Sequence, residues 1–114
     1  MEKLLKSEDC PTGIYCANDI TAVGMLKYLR RCRNLYFTPS IIASDDIEEA
    51  QYTKPMLTTV GLPKEEMGRF ALYLLLDRMK GGHSGVVRME LSGKLLVRNS
   101  CSHVSESFWS DYCI

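Results

Sequence analysis

The sequence predicts an α/β domain with a parallel sheet, and three observations carry that expectation. Two short runs of apolar, β-branched and aromatic side chains, Gly13 to Ala17 and Ser40 to Ser44, have the length and bulk of strands covered on both faces. Each ends on polar groups, Asn18-Asp19 in the first case and Asp45-Asp46 in the second. Between them Ala22, Met25, Leu26 and Leu29 recur at helical spacing and give a face suited to packing on a sheet. A strand, a helix and a second strand in that order make a right-handed crossover between parallel neighbours.

In chain order, Met1 to Ser7 looks like the last turn of a helix, with Leu4-Leu5 on one side and charge on the other, stopping at Glu8-Asp9-Cys10-Pro11. The expectation is a domain truncated at its N-terminus. The strand from Gly13 is entered through Pro11-Thr12. Asn18 or Asp19 then caps the following helix, because a short side-chain oxygen there accepts from the orphan N–H groups of the first turn. A strand end that opens into a helix start is also where doubly wound proteins place ligand groups, so Asn18 is a candidate contact as well as a cap. Ile20 and Val23, with Gly24, form a second, thinner apolar stripe that is either core or a partner surface. Arg30, Arg31 and Arg33 suit the negative end of the helix dipole.

After the second strand, Ile47 to Tyr52 reads as a short helical turn stopped before Lys54-Pro55, and Leu57 to Val60 is strand-like. Pro63 opens the best helix, with Glu65 and Glu66 at its positive end and Gly81-Gly82 as its stop. Met67, Phe70, Ala71, Leu74, Leu75 and Met79 are its expected buried face, with Glu65 and Arg69 an exposed pair. Val86 to Leu91 and Lys94 to Val97 read as two last strands around Ser92-Gly93. Arg98 to Ile114 is a loosely patterned tail in which Phe108, Trp109 and Tyr112 are the docking candidates.

The totals exclude several classes. At 114 residues and 46% hydrophobic content the chain fits one small domain. Fourteen basic and 14 acidic residues cancel, so the segment lacks the electrostatic footprint of a nucleic-acid or membrane binder, and any DNA contact must come from elsewhere. Five cysteines without a C-x-x-C pair fit free thiols in a reducing cytoplasm. The apolar run that contains Leu72 to Leu76, from Phe70 to Leu76, is too short to cross a bilayer, and the opening residues lack a signal-peptide core.

Asp19, Asp45 and Asp46 could be read as an acid cluster for a divalent metal or for proton transfer, but they supply few ligands at no set spacing. His83 and His103 lie in polar, loop-like surroundings, and the chain has neither a nucleophile elbow nor a P-loop. No metal, no cofactor and no enzymatic activity is expected. What remains is a set of polar groups at two strand ends, suited to binding a small polar molecule through its hydroxyls. Alternation along an extended chain turns Asp46 away from Asp45, which makes Asp45 the contact and Asp46 the comparison.

Together these stretches resemble the effector-binding domain of the lactose-repressor (LacI/GalR) family of bacterial transcription regulators. Pro11-Thr12-Gly13 through Ala17-Asn18-Asp19, with Ala22-Val23-Gly24, is similar to the family's P-T-A-x-x-x-A-N-D-x-x-A-x-G. Asp45-Asp46-Ile47 resembles the end of its G-[FY]-D-[DN] strand, and Pro55 to Val60 its P-x-L-T-T-[VI]. Pro63, Glu66-Met67-Gly68, Leu74 to Arg78 and Leu96 to Cys101 follow with family spacing. Two departures stand out. Cys32 falls where the family ends its helix on glycine, a position that strains a residue with Cβ if the backbone is left-handed, and Ala43-Ser44 replaces the Gly-aromatic pair before the acids.

The resemblance implies a two-lobed, periplasmic-binding-protein-like (Rossmann-like) fold, of which this chain holds part, with the effector held between the lobes. Residues 1–57 would belong to the C-terminal lobe, 58–91 would cross to the N-terminal lobe, and 92–114 would return. It further implies a sugar or similar effector contacted by Asn18 and Asp45, and a homodimer to which Ile20 and Val23 contribute. DNA would be reached only through an N-terminal headpiece absent from this chain. The alternative is a periplasmic-type sugar-binding protein of related fold.

Overall fold

A computed structural model describes residues 2–5, 11–32 and 39–103. Cys10 and Cys113, the helix-exit residues 33–38 and the docking candidates Phe108, Trp109 and Tyr112 lie outside that set. The elements in order are α1 (Glu2–Leu5), β1 (Gly13–Tyr15), α2 (Asp19–Arg31), β2 (Ser40–Asp45), a 3-10 turn (Glu48–Gln51), β3 (Thr58–Gly61), α3 (Lys64–Met79) and β4 (Lys94–Leu96). The sheet runs β1-β2-β3-β4 in space, parallel except for the last strand.

The α2 helix forms as its sequence dictates. Asn18 is the cap, its Oδ1 accepting from the Thr21 N–H at 3.0 Å. Ala22, Val23, Leu26 and Leu29 bury against Cys16, Ile41, Ala43, Ala50 and Leu57, and this is the core. Alternation along β2 puts Ile41 and Ala43 on the α2 side, both fully buried, and leaves Ile42 and Ser44 on the other. Cys32 ends the helix with φ −79° and ψ 112°, extended rather than left-handed, so its Cβ meets no steric penalty.

The first strand differs from the expectation of burial on both faces. It is the edge of the sheet, only Ile14 packs against the core, and Tyr15 is 64% exposed with its hydroxyl 2.9 Å from Ser44 Oγ. On the side of the sheet opposite α2, Ile42 and Ser44 are only half-buried.

Sequence and structure differ most at α3. The helix has the expected bounds, yet it contains no buried residue, and Met67, Leu75 and Met79 are exposed. The reason is that no other described element packs over its apolar side. Met89 and Leu91 merely border it, forming an open groove with Leu62, Met67, Phe70, Ala71 and Leu74. Val86 to Leu91 is not a strand, because it has no ladder partner, and Val86 is 96% exposed. β4 does form, antiparallel to β3. Gly93 precedes it at a close crossing, where an added Cβ would lie 3.0 Å from Val60 Cγ1 and 3.2 Å from the Gly61 carbonyl oxygen.

Candidate functional site

The register aligns the two candidate contacts. Tyr15 of β1 pairs with Ile42 of β2, so Asn18 and Asp45, each three residues further on, leave the sheet at the same carboxyl end. Asn18 is exposed; its Oδ1 is engaged by the backbone and hydroxyl of Thr21, at 3.0 and 2.7 Å, leaving the amide nitrogen for other contacts. Asp45 is half-buried and lines an open cleft of about 500 Å³ with Asp46, Leu62, Pro63, Lys64, Glu65, Glu66 and Arg69. Asn18 does not line that cleft.

Asp19 has a different task. Its carboxylate is fully buried, accepting from Thr59 Oγ1 at 2.6 Å and from the Ile47 N–H at 3.0 Å. One side chain at the start of α2 thus holds β3 and the segment that follows β2. This is not the arrangement of a metal ligand, and no group of three or more metal-binding side chains exists among the described residues. His83 is likewise occupied, its Nδ1 lying 2.6 Å from Asp77 Oδ2 at the end of α3.

Asp46 lines the same cleft as Asp45, against the expectation that alternation turns it away, because positive φ at both residues breaks the regular strand geometry; nor is it an idle comparison. Its Oδ1 accepts from Arg98 Nη2 at 2.7 Å. The paired threonines are equally committed: Thr58 Oγ1 accepts from the Arg98 N–H at 2.9 Å, and Thr59 donates to Asp19. Buried Ser100 completes the stitching, accepting from the Thr58 N–H at 2.7 Å while its hydroxyl donates to the Ile41 carbonyl.

The stripe of Ile20 and Val23 divides. Ile20 is 65% exposed, whereas Val23 is 7% exposed and belongs to the core. Sequence reasoning missed Lys64, Glu65, Glu66 and Arg69 as cleft residues and Arg98 as a structural hub. Nothing in helical periodicity marks a charged first turn as lining a cleft, and an isolated arginine after a strand gives no partner away.

Comparison with known proteins follows the same outline. The periplasmic binding protein-like domain matches residues 1–101. The chain belongs to that family. It is 37% identical over 102 residues to the HTH-type transcriptional repressor CytR of Escherichia coli strain K12, covering 88% of this chain and 30% of that protein. A LacI family transcriptional regulator from Enterococcus faecium, solved with bound ribose, superposes with TM-score 0.73 at 32% identity, covering 87% of this chain and 36% of the other. The complex of the transcriptional regulator CelR with cellobiose gives 0.71 at 30% identity, covering 79% and 28%. The chain therefore spans about a third of the length of these relatives, as part of the effector-binding domain that LacI/GalR regulators carry. They are named as regulators, not as enzymes.

Proposed function

We propose that this chain is the effector-binding and dimerising portion of a LacI-type transcriptional regulator, and that its effector is a sugar or a similar polar small molecule. The observation that carries this reading is Asp45: a carboxylate at the carboxyl end of a central parallel strand, opening on a cleft, in a family whose solved members include ribose and cellobiose complexes. A carboxylate accepts from sugar hydroxyls, and the free amide of Asn18 at the same sheet end can donate to them.

The lobe assignment is part of the same proposal. β1 and β2 would belong to the helix-covered sheet of one lobe; β3 (Thr58–Gly61) pairs with β2 and stays in that sheet, which moves the crossing from residue 58 to after β3. The uncovered apolar side of α3 would then belong against the other lobe's own layers, and the chain would return through β4. Ile20 is the exposed apolar residue that would face a second copy. The described cysteines, Cys16, Cys32 and Cys101, carry free thiols, as suits the cytoplasm where such a regulator works. No helix among the described residues is long and apolar enough to cross a membrane. DNA contact falls to a headpiece outside this chain.

The test is a titration of the full-length regulator with a panel of pentoses, hexoses, disaccharides and nucleosides, followed by calorimetry and by operator affinity. A sugar that binds and shifts operator affinity is the expected result. Sugar binding with no operator affinity under any condition would favour the transport-protein alternative.

A further inference from the structure

Asp45 and Asp46 form a turn that a backbone with Cβ atoms does not favour. Both have positive φ, 126° and 48°, and such conformations persist where the surroundings over-determine them. Asp46 supplies the constraint. Its carboxylate bonds Arg98 Nη2, its N–H lies 3.4 Å from Thr59 Oγ1, and its carbonyl accepts from the exposed Lys64 Nζ at 3.3 Å. The strongest of these is the ion pair, because the Arg98 side chain is only 15% exposed and its other arm, Nη1, donates to the Leu57 carbonyl at 3.0 Å. The Arg98 N–H is meanwhile held by Thr58. One residue after β4 thus spans the end of β2 and the entry to β3.

We propose that Arg98 is a positioning residue for effector recognition: by clamping Asp46 against the entry to β3, it fixes the turn from which the Asp45 carboxylate enters the cleft. The proposal rests on the reading of Asp45 as an effector contact. Its physical basis is that a site populated for only a fraction of the time binds more weakly by that fraction. A guanidinium fork reaches both the carboxylate and the carbonyl, whereas a lysine ammonium is a single point of charge and would retain the carboxylate alone. Arg98 therefore makes affinity depend on a segment that does not line the cleft.

The test has two arms, both in the full-length protein. Amide hydrogen exchange should rise about tenfold at residues 45–47 in Arg98→Ala and by less in the milder Arg98→Lys, with residues 22–29 of α2 unchanged. A uniform rise across α2 and the turn, or no rise at the turn, overturns the clamp, and this arm decides whether or not a given sugar binds. The second arm is calorimetry with ribose and with cellobiose on Arg98→Ala, Asp45→Ala and the double variant. If Arg98 acts through Asp45, its removal weakens binding about tenfold, or 1.4 kcal/mol, in the wild-type background and has no further effect once Asp45 is gone. Additive losses overturn the positioning role. Unchanged affinity in Asp45→Ala alone would refute the effector contact, while the exchange result would still stand for the clamp.

Discussion

Replacing Asp19 with alanine should be among the most damaging single changes in the chain. The carboxylate is fully buried and accepts two hydrogen bonds, from Thr59 Oγ1 at 2.6 Å and from the Ile47 N–H at 3.0 Å. Bonds to a charged group contribute about 1.5 to 3 kcal/mol each, so losing both costs roughly 3 to 6 kcal/mol. That is a large part of the roughly 5 to 15 kcal/mol available to a domain. The Thr59 hydroxyl, fully buried, would be left without its acceptor, whereas the Ile47 N–H is only partly buried and loses less. Asp19→Asn keeps one acceptor oxygen and should lose about half as much, since its amide must face one of two donors. Urea denaturation followed by circular dichroism separates the cases: the midpoints should fall in the order wild type, Asp19→Asn, Asp19→Ala. If Asp19→Ala unfolds within about 0.5 kcal/mol of wild type, the range of an ordinary surface substitution, the latch is not holding these elements together.

Other expectations follow from the same geometry. Ile20→Asp should weaken dimers in sedimentation without lowering stability, whereas Val23→Asp should lower the urea midpoint, because it places a charge in the core; an undisturbed dimer in Ile20→Asp would locate the interface elsewhere. Cys16 is buried with its Sγ donating to Met25 Sδ at 3.3 Å, and burial pushes its thiol above the ordinary 9.0. The folded state then holds this proton to higher pH than the unfolded one. The contribution is whole below pH 9.0 and is lost as pH rises through the folded value, so melting temperature should decline there less steeply in Cys16→Ala. Cys16 should also react with a disulfide reagent more slowly than half-exposed Cys32 and Cys101, and equal rates would count against its burial. The 114-residue chain, at zero formal net charge, should not retard operator DNA, and a salt-sensitive shift would contradict this.

Local signals were legible wherever one residue or one period decides the structure. The junction at Asn18-Asp19, the α2 face and the bounds of α3 all follow from capping oxygens, helical spacing and glycine stops. What sequence could not assign was which of two neighbouring polar residues does what. Asn18 and Asp19 are equally good caps on paper; only the fold shows that Asp19 turns inward to Thr59 while Asn18 holds the first turn. The roles of Arg98 and of Thr58-Thr59 depend on pairings between residues about forty apart, which no local pattern encodes. Positive φ at Asp45 and Asp46 was equally hidden, because glycine, the usual marker, is absent. Periodicity found the apolar side of α3 correctly, but a stripe says only that something must cover it, not that this chain does.

The most direct test of the account is calorimetry of the full-length regulator and its Asp45→Ala variant with whichever sugar of the panel binds wild type most tightly. A carboxylate that accepts from effector hydroxyls contributes about 1.5 to 3 kcal/mol through charge-assisted bonds. Asp45→Ala should therefore lose more than about tenfold in affinity while melting close to wild type, since each decade is about 1.4 kcal/mol. Equal affinities for the two proteins would show that the carboxylate at the end of β2 does not touch the effector, and the site assignment would fail.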